Sequence, residues 1–270
     1  MIDSPRNARI QAALALRERS ERLASGMTIV DGTRECRRAV EAGVHVDAAF
    51  VCRSLLRTAK AGAVLDRLRT DRVELVDVSL RVHDRLAFGN RGDGLVLVVK
   101  TPSVRLDGLR LGPTPLVIVT EDVEKPGNLG AILRTADGAG CDAVIAVGGT
   151  DLFNPNVIRA SVGIVFSLPV ASGSAADVLA WLTSRQIRPV AARVDGETAY
   201  DAADLTGPLA IVLGSEAAGL SAAWHDPAIR GVRLPMLGVA DSLNVSVAAA
   251  VIAFEARRQR DAQDPGTAAR

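Results

Sequence analysis

The chain has 270 residues, of which 48% are hydrophobic and 23% are charged, and its formal net charge is +1. This length and apolar content allow two domains of ordinary size, each with a buried core. The three cysteines and three histidines are scattered and no apolar run is long enough to span a bilayer, so we expect a soluble, cytoplasmic protein with no disulfide framework, no metal and no membrane contact.

The first hundred residues predict a small α/β domain. Residues 1–26 are polar and Arg-rich, which is typical of an amphipathic helix; it is either an RNA-binding or partner-binding arm or a solvated helix. Strands are predicted at Met27–Val30, Ala48–Cys52, Val73–Val78 and Leu95–Val99, and helices after Asp31-Gly32 through Glu41 and over residues 56–69. Short apolar strands that alternate with helices indicate an α/β fold.

A linker follows, and then the alternation resumes on a larger scale. Residues 103–112 lie in a stretch with two flanking prolines and little periodicity, so we predict a linker there, between domains at 1–102 and 113–270. Strands are predicted at Leu116–Val119, Ala143–Val147, Val190–Val194, Leu209–Leu213 and near Val232–Leu234. Helices are predicted at about Asn128–Ala139, 156–162, 175–186 and about Leu243–Arg260. This pattern is typical of a parallel sheet that is covered on both faces.

The two halves of the chain differ in charge. Residues 1–110 carry a net charge of +6, and residues 111–270 carry a net charge of −5. A basic half is a common sign of nucleic-acid contact, and a solvated basic surface is the alternative.

The first of three motifs spans residues 125–136 and reads KPGNLGAILRTA. Helical spacing predicts a buried stripe at Leu129, Ile132, Leu133, Ala136 and Ala139, with Gly130, Arg134 and Asp137 on another face. Asn128 is a candidate N-cap, and the amides after it are able to bind an anion. An ordinary helix with a surface arginine is the alternative. Residues 138–143 match a dinucleotide-binding pattern, but they end a helix and precede a strand, so we interpret them as a helix C-cap and a turn.

The second and third motifs also follow predicted strands. The second spans residues 213–221 and reads LGSEAAGLS; the third begins with LPM at 234–236 and continues with DSLNVS at 241–246. Gly214 allows the backbone to approach a ligand closely, and Glu216 can accept a hydrogen bond or pair with a cation; a tight strand-to-helix turn is the alternative. The helix that follows is apolar almost all round, which predicts burial in a core or between subunits. Arg257, Arg258 and Arg260 at its end suit the helix dipole or bind RNA.

Together and in this order, the three motifs resemble the signature of the SpoU/TrmH family of RNA ribose 2′-O-methyltransferases. The resemblance implies an α/β fold, with a C-terminal trefoil-knotted SPOUT methyltransferase domain built on a parallel sheet. It also implies a small N-terminal α/β domain like ribosomal protein L30e, which rests on Val30-Asp31-Gly32 and the stretch from Gly92 to Val99. The implied cofactor is S-adenosylmethionine (AdoMet), and the implied partners are RNA and a second copy of the chain as a homodimer.

The resemblance also implies roles for individual residues. Asn128 and Arg134 match the catalytic asparagine and arginine of the family, and Glu216 and Asn244 match its supporting polar pair. Arg159 matches an arginine that contacts RNA. The residues that match the AdoMet pocket are Ala192, Leu213, Gly214, Leu234, Met236, Ser242 and Leu243.

The residue types suit methyl transfer. The sulfonium of AdoMet is already an activated methyl donor, so the protein mainly aligns the reacting atoms. The guanidinium of Arg134 is able to stabilise charge on a ribose oxygen and to hold a phosphate, and whether it also takes the proton stays open.

By analogy we favour 23S rRNA as substrate, in a housekeeping role or in protection against a ribosome-targeting antibiotic. The alternatives are a tRNA 2′-O-methyltransferase, a non-catalytic RNA-binding protein on the same fold, and a nucleotide-dependent transferase. The last of these needs a phosphate-binding loop, which the sequence lacks. Intact Asn128, Arg134 and Glu216 disfavour the non-catalytic protein.

Overall fold

The computed structural model describes residues 1–87 and 93–263, so Gly92, which contributed to the N-terminal resemblance, lies outside the described residues. The elements of the first hundred residues are α1 (Ala8–Ala15), α2 (Arg19–Ser25), β1 (Met27–Asp31), α3 (Thr33–Glu41), β2 (Val46–Val51), α4 (Ala59–Thr70), β3 (Glu74–Asp77), α5 (Leu80–Leu86) and β4 (Leu95–Lys100). The elements that follow are β5 (Leu116–Glu121), α6 (Pro126–Gly138), β6 (Ala143–Val147), α7 (Pro155–Ala160), β7 (Val170–Gly173), α8 (Ala175–Ser184), β8 (Arg188–Ala192), β9 (Thr198–Ala199), β10 (Leu209–Leu213), β11 (Arg230–Arg233) and α9 (Val245–Gln263).

The chain divides into two compact units. The first consists of Met1–Pro102 and Phe153–Ser167, and the second consists of Ser103–Leu152 and Leu168–Arg270. The segment 153–167, which carries α7, therefore lies in the first unit although the sequence predicted it within the second domain. The Thr28 hydroxyl donates to the Phe153 carbonyl (2.8 Å), and Arg38 donates to the Val162 carbonyl (2.6 Å). These bonds join residues more than 120 positions apart, so sequence periodicity carries no signal for them.

The predicted linker at 103–112 contacts the second unit at several points, and Leu106 and Leu111 are partly buried against its core. Leu109 is buried in the core of that unit. The carbonyl of Val104 accepts a hydrogen bond from the amide of Ser172 (2.8 Å), beside β7 of the same unit. The segment is therefore packed along the unit to which it belongs.

The first unit contains a mixed four-stranded sheet in the order β1-β4-β2-β3, with β4 antiparallel to both neighbours and β2 parallel to β3. Residues 1–26 form two helices, so the prediction of a single helix is wrong. Ile10 and Leu16 are buried in the core of this unit. Where α1 ends, the buried guanidinium of Arg22 donates to the carbonyls of Leu16 (2.9 Å) and Arg17 (2.7 Å). One face of the N-terminal segment is thus part of the fold.

The second unit contains a seven-stranded sheet in the order β7-β6-β5-β10-β8-β11-β9, and every pair in it is parallel, as predicted. From β5 the chain first adds β6 and β7 towards one edge, and later strands fill the other side. The strand order therefore reverses between β5 and β10. In open α/β sheets, ligands bind in the crevice outside the carboxyl ends of the strands at such a point. The trefoil knot implied by the resemblance stays a prediction.

Helix α6 buries the stripe that was predicted for it. Its buried face includes Leu129, Ile132, Leu133 and Ala136. Gly130, which was predicted on the other face, is also buried, because the buried face is wider than the stripe; Arg134 and Asp137 are exposed.

The start of α6 was predicted incorrectly, and its end was predicted correctly. The helix begins with Pro126 and has Lys125 as N-cap, so the prediction of Asn128 as N-cap is wrong. The fixed φ of proline suits the first helical position, which places Asn128 one turn inside the helix. The helix ends at Gly138, and Gly140 has a φ of 63°, so the predicted C-cap and turn are confirmed.

Helix α9 is buried on one face only. Within this chain, less of its surface is buried than its almost entirely apolar sequence predicted. Val245, Ala249, Ile252, Ala253 and Ala256 are buried, and contacts with α6 and β10 account for this face. On the other side, Val247 is 47% exposed and Phe254 is 50% exposed. Among the described residues, no helix is both long and apolar enough to cross a membrane.

The arginines at the end of α9 have different roles. Arg257 donates to the carbonyls of Ala139 and Gly140 (2.8 Å each), just beyond the end of α6. Arg260 donates to the carbonyls of Thr114, Pro115 and Gly207. Arg258 is exposed and pairs with Glu255 on the same helix (2.7 Å). Arg257 and Arg260 therefore have a structural role, but through carbonyls of other segments, and the predicted interaction with the dipole of α9 stays a prediction.

We expect Arg260→Met to lower the free energy of unfolding by about 1.5–3 kcal/mol, because hydrogen bonds from a charged group to half-buried carbonyls are lost. Arg258→Met is the matched control on the same helix, and its effect should be within measurement error, because exposed ion pairs contribute little to stability. Urea unfolding of both variants is the measurement. Equal stabilities of the two variants would contradict the role given to Arg260.

Candidate active site

A cleft of about 810 Å³ opens at the carboxyl ends of β8, β10 and β11 in the second unit. Its volume falls within the range of roughly 300–1,000 Å³ that is typical of small-molecule sites. The lining includes all seven residues that the resemblance assigned to AdoMet: Ala192, Leu213, Gly214, Leu234, Met236, Ser242 and Leu243. They come from three separate segments that each follow a strand.

The loop after β10 turns back tightly on itself. Ser215 and Gly219 form a backbone bridge with two hydrogen bonds of 3.1 Å, and the Ser215 hydroxyl accepts from the Ala218 amide (3.1 Å). Gly219 has a φ of 67°, in the left-handed region that favours glycine. A Cβ atom on Gly214 would collide with the backbone of Gly219 and would lie 2.6 Å from the amide nitrogen of Leu220. Glycine at 214 is therefore required by packing within this loop.

A buried carboxylate fixes the far end of the same loop. Glu121, the last residue of β5, is 4% exposed. Its two carboxylate oxygens accept from the backbone amide (2.7 Å) and the hydroxyl (2.8 Å) of Ser221. These hydrogen bonds attach the loop to the end of β5, the strand beside β10. The loop, which forms one wall of the cleft, is therefore held in position by the sheet.

Three of the four predicted catalytic residues meet at the edge of the cleft, and a lysine joins them. Glu216, which lines the cleft, accepts from Lys125 Nζ (2.6 Å), Asn128 Nδ2 (3.0 Å) and Asn244 Nδ2 (2.5 Å). Asn244 Nδ2 also lies 3.3 Å from Asn128 Oδ1. The residues come from the segments that follow β5, β10 and β11, with Asn128 in the first turn of α6, so the reversal of strand order brings them together. We call Lys125, Asn128, Glu216 and Asn244 the polar cluster.

The charges within the polar cluster are complementary. The hydrogen bond from Lys125, together with weaker contributions from Asn128 and the Val245 amide, lowers the pKa of Glu216. In return, Glu216 raises the pKa of Lys125. An ionised carboxylate has only acceptors, which is why both asparagines present their NH₂ groups to it.

The amide of Asn244 has a fixed orientation. Its Oδ1 accepts from the amide (2.9 Å) and the hydroxyl (2.6 Å) of Ser246 at the start of α9. The NH₂ group of Asn244 must then point to Glu216. Asn128 also gives its NH₂ group to Glu216, and its carbonyl oxygen accepts one hydrogen bond, from Asn244 Nδ2, so a second lone pair of that oxygen has no partner among the described residues.

Arg134 makes no hydrogen bond with the polar cluster, and Arg159 belongs to the first unit. Arg134 is exposed on α6, is not among the residues that line the cleft, and has no ion pair with any other described residue. Arg159 is half-buried on α7, in the first unit. Both guanidinium groups therefore stay available to an anionic partner.

Sequence reasoning missed several polar residues of the site. Lys125 and Glu121 stood in or beside the first motif but were given no role. Arg193 and His225 also line the cleft, with Arg193 Nη1 3.1 Å from His225 Nδ1, and Arg193 Nε 3.2 Å from Asp195. The position of Arg193 just after β8 was the only available signal. In the described residues, no group of three or more His, Cys, Asp or Glu side chains is placed to hold a metal ion.

Comparison with known proteins identifies two matching family models. Residues 115–254 match the SpoU rRNA Methylase family, and residues 7–96 match the MRM3-like substrate binding domain. The first match contains the cleft and the polar cluster, and the second falls within the first unit.

Similarity to individual proteins extends over nearly the whole chain. A 23S rRNA (uridine(2479)-2′-O)-methyltransferase of Streptomyces viridochromogenes is 32% identical over 266 residues, which cover 94% of this chain and 91% of that protein. A crystal structure of an RNA 2′-O ribose methyltransferase is 40% identical, with a TM-score of 0.83 and coverage of 96% of this chain and 98% of the other. The SpoU methyltransferase AviRb from Streptomyces viridochromogenes, in complex with the cofactor AdoMet, has a TM-score of 0.87 at 32% identity, with coverage of 94% and 98%.

Proposed function

Because the chain belongs to the SpoU rRNA methylase family, we propose that it is an AdoMet-dependent RNA ribose 2′-O-methyltransferase that acts on 23S rRNA in the cytoplasm. The observation that carries the proposal is the polar cluster at the edge of the cleft formed by the second and third motifs. Similarity to rRNA 2′-O-methyltransferases along most of the chain supports the choice of 23S rRNA over tRNA.

The residues of the cleft fit AdoMet. The backbone around Gly214 and Leu213 and the side chains of Leu234, Met236 and Leu243 would hold the cofactor, with Ala192 and Ser242 on the same lining. AdoMet supplies an activated methyl group when it is bound. The chain then has to align the ribose hydroxyl with that group and exclude competing nucleophiles.

In this proposal, the polar cluster and Arg134 act on the ribose. Asn128 accepts a hydrogen bond from the hydroxyl through its free lone pair, and Glu216 and Asn244 hold the Asn128 amide in place. Arg134 binds the adjacent phosphate and stabilises the negative charge that develops on the oxygen. Arg159 and the basic first unit bind the RNA backbone, as the net charge of +6 in residues 1–110 favours.

The test is methyl transfer in vitro with labelled AdoMet. The 23S rRNA is taken from cells that lack the gene, and the purified chain should label it at one nucleotide. The labelled position should resist alkaline cleavage because its 2′-hydroxyl is blocked. Label in tRNA alone would favour the tRNA enzyme. AdoMet binding without transfer to either RNA would favour a non-catalytic RNA-binding protein.

We also propose that the chain forms a homodimer through the second unit. The support is apolar surface that this unit leaves uncovered: Val247 and Phe254 on α9 are about half exposed, and Leu237 and Val239 in the preceding loop are fully exposed. Exposed apolar patches of this kind mark interaction sites.

We expect Phe254→Asp to convert the protein from dimer to monomer in light scattering at micromolar concentration, because a buried charge without a partner is unfavourable in an apolar interface. Leu23→Asp is the matched control, since Leu23 is 71% exposed but lies in the first unit. A wild-type chain that scatters as a monomer would refute the dimer.

A further inference from the structure

Lys125 is an unassigned cation within the polar cluster. Its Nζ lies 2.6 Å from Glu216 Oε2, while the two asparagines bind the other oxygen, Oε1. As N-cap of α6, Lys125 precedes Asn128 by one helical turn, so both side chains project from the same end of one helix. The position of Lys125 is therefore set by the same elements that hold the catalytic residues.

The orientation of Asn128 depends on the charge of Glu216. An ionised carboxylate only accepts hydrogen bonds, which directs the NH₂ group of Asn128 towards it and leaves a lone pair of the amide oxygen for the substrate, beside the one that accepts from Asn244. A protonated carboxyl group has a donor of its own, which would also suit the Asn128 amide oxygen. Loss of the charge on Glu216 would therefore weaken one of the two contacts that orient the amide, the other being the longer hydrogen bond from Asn244 Nδ2 to Asn128 Oδ1 (3.3 Å).

Lys125 is the charged group that acts on Glu216. Among the described residues, the other groups that donate to the carboxylate are Asn128, Asn244 and the Val245 backbone amide, all of them neutral. Asp241 lines the same cleft but makes no hydrogen bond or ion pair with Glu216 in the described part of the chain. A lone carboxylate would also repel the phosphates of RNA, and Lys125 offsets that charge.

We propose that Lys125 is a positioning residue for methyl transfer: it holds Glu216 as a carboxylate in place, and through Glu216 it fixes the amide of Asn128. The proposal rests on the proposed function. Lys125 does not contact the reacting atoms in this scheme, and its effect passes through Glu216.

The first readout does not require activity. In the full-length chain, the side-chain carboxyl of Glu216 is followed by NMR as the pH falls. Because the hydrogen bond from Lys125 lowers the pKa of Glu216, the carboxylate in Lys125→Met should take up its proton at higher pH than in the wild type. Lys125→Arg should keep a cation and titrate close to the wild type. Arg105→Met is the matched control, since it removes another exposed ion pair of 2.6 Å, to Asp107, elsewhere in the second unit.

The second readout is the pH profile of single-turnover methyl transfer. The acidic limb of the Lys125→Met profile should move to higher pH, and the rate on that limb should fall roughly tenfold, since small misplacements of a reacting group lower rates by up to about a hundredfold. At alkaline pH the difference from the wild type should narrow, because Glu216 is ionised in both proteins. Lys125→Arg should restore the wild-type profile, and Arg105→Met should not change it.

The two readouts separate the failure of this proposal from failure of the proposed function. If the wild-type chain transfers no methyl group to RNA, the proposed function fails, and the NMR titration still tests the link between Lys125 and Glu216. Identical titrations of Glu216 in the wild type and in Lys125→Met would overturn the inference. A uniform loss of rate at all pH values in Lys125→Met would overturn the role given to the charge of Glu216, because such a loss does not follow the protonation of that carboxylate.

Discussion

Arg134→Ala should lower the single-turnover rate of methyl transfer by roughly two orders of magnitude or more, while the fold and AdoMet affinity stay nearly intact. A rate loss of this size is typical when one hydrogen-bond donor to a developing oxyanion is removed. The fold should survive because Arg134 is exposed on α6 and has no ion pair with another described residue. Substitutions at such surface positions usually change stability little. The measurement is transfer at saturating AdoMet, with thermal unfolding and AdoMet titration as companions.

Two further variants sharpen this experiment. Arg134→Lys should recover only part of the rate, because an ammonium group lacks the planar fork that binds a phosphate through two parallel hydrogen bonds. Arg110→Ala is the control for loss of one positive charge, since Arg110 is also exposed in the second unit. If Arg134→Ala transfers methyl groups at the wild-type rate, the catalytic role is wrong. If it unfolds, Arg134 is a structural residue.

The long, regular elements were predictable because each repeats one simple pattern. The segments that form β5, β6 and β10 contain continuous apolar runs, and α6 has an apolar stripe with helical spacing. Both patterns are visible in the sequence. Helix α5 and strands β7 and β9 were missed, because elements of two to seven residues carry too few repeats for a period to emerge. The packing of residues 153–167 with the first unit was also invisible, since tertiary contacts and not local pattern determine it.

The residues of the site also divide into those that were predicted from the sequence and those that were not. Seven residues of the cleft and three of the polar cluster were named in advance through the resemblance to the SpoU/TrmH family; the residue pattern alone indicated only a ligand site at the carboxyl ends of the strands. The pairing of Lys125 with Glu216 was not foreseen: 91 residues separate them, and neither type has a special local signal. The N-cap was assigned to Asn128 on residue type, whereas the proline at 126 begins the helix earlier and frees the asparagine for the cluster.

The other large effect that we expect is on cofactor affinity. Gly214→Ala should raise the Kd for AdoMet roughly tenfold to a hundredfold. The added Cβ atom collides with the backbone of Gly219, so the loop that forms one wall of the cleft must move. Forcing an extra methyl group into packed structure costs about 1–3 kcal/mol, and each 1.4 kcal/mol corresponds to about a tenfold change in Kd. Because Glu121 anchors the loop at Ser221, the strain has little room to relax.

Isothermal titration of AdoMet into the full-length variant measures this effect. Gly108→Ala is the matched control: an added Cβ there meets no atom within 4 Å, and Gly108 lies in the same unit but outside the cleft. The midpoint of thermal unfolding without AdoMet should fall by only a few degrees, about 2–4 °C for each kcal/mol in a domain of this size. The reason is that the loop lies beyond the carboxyl end of β10, and the strands themselves are unchanged. A Gly214→Ala variant that binds AdoMet as tightly as the wild type would show that this loop is not part of the cofactor site, and the cleft would then need another ligand. A loss of binding matched by loss of the whole unfolding transition would instead make Gly214 a residue that the fold itself requires.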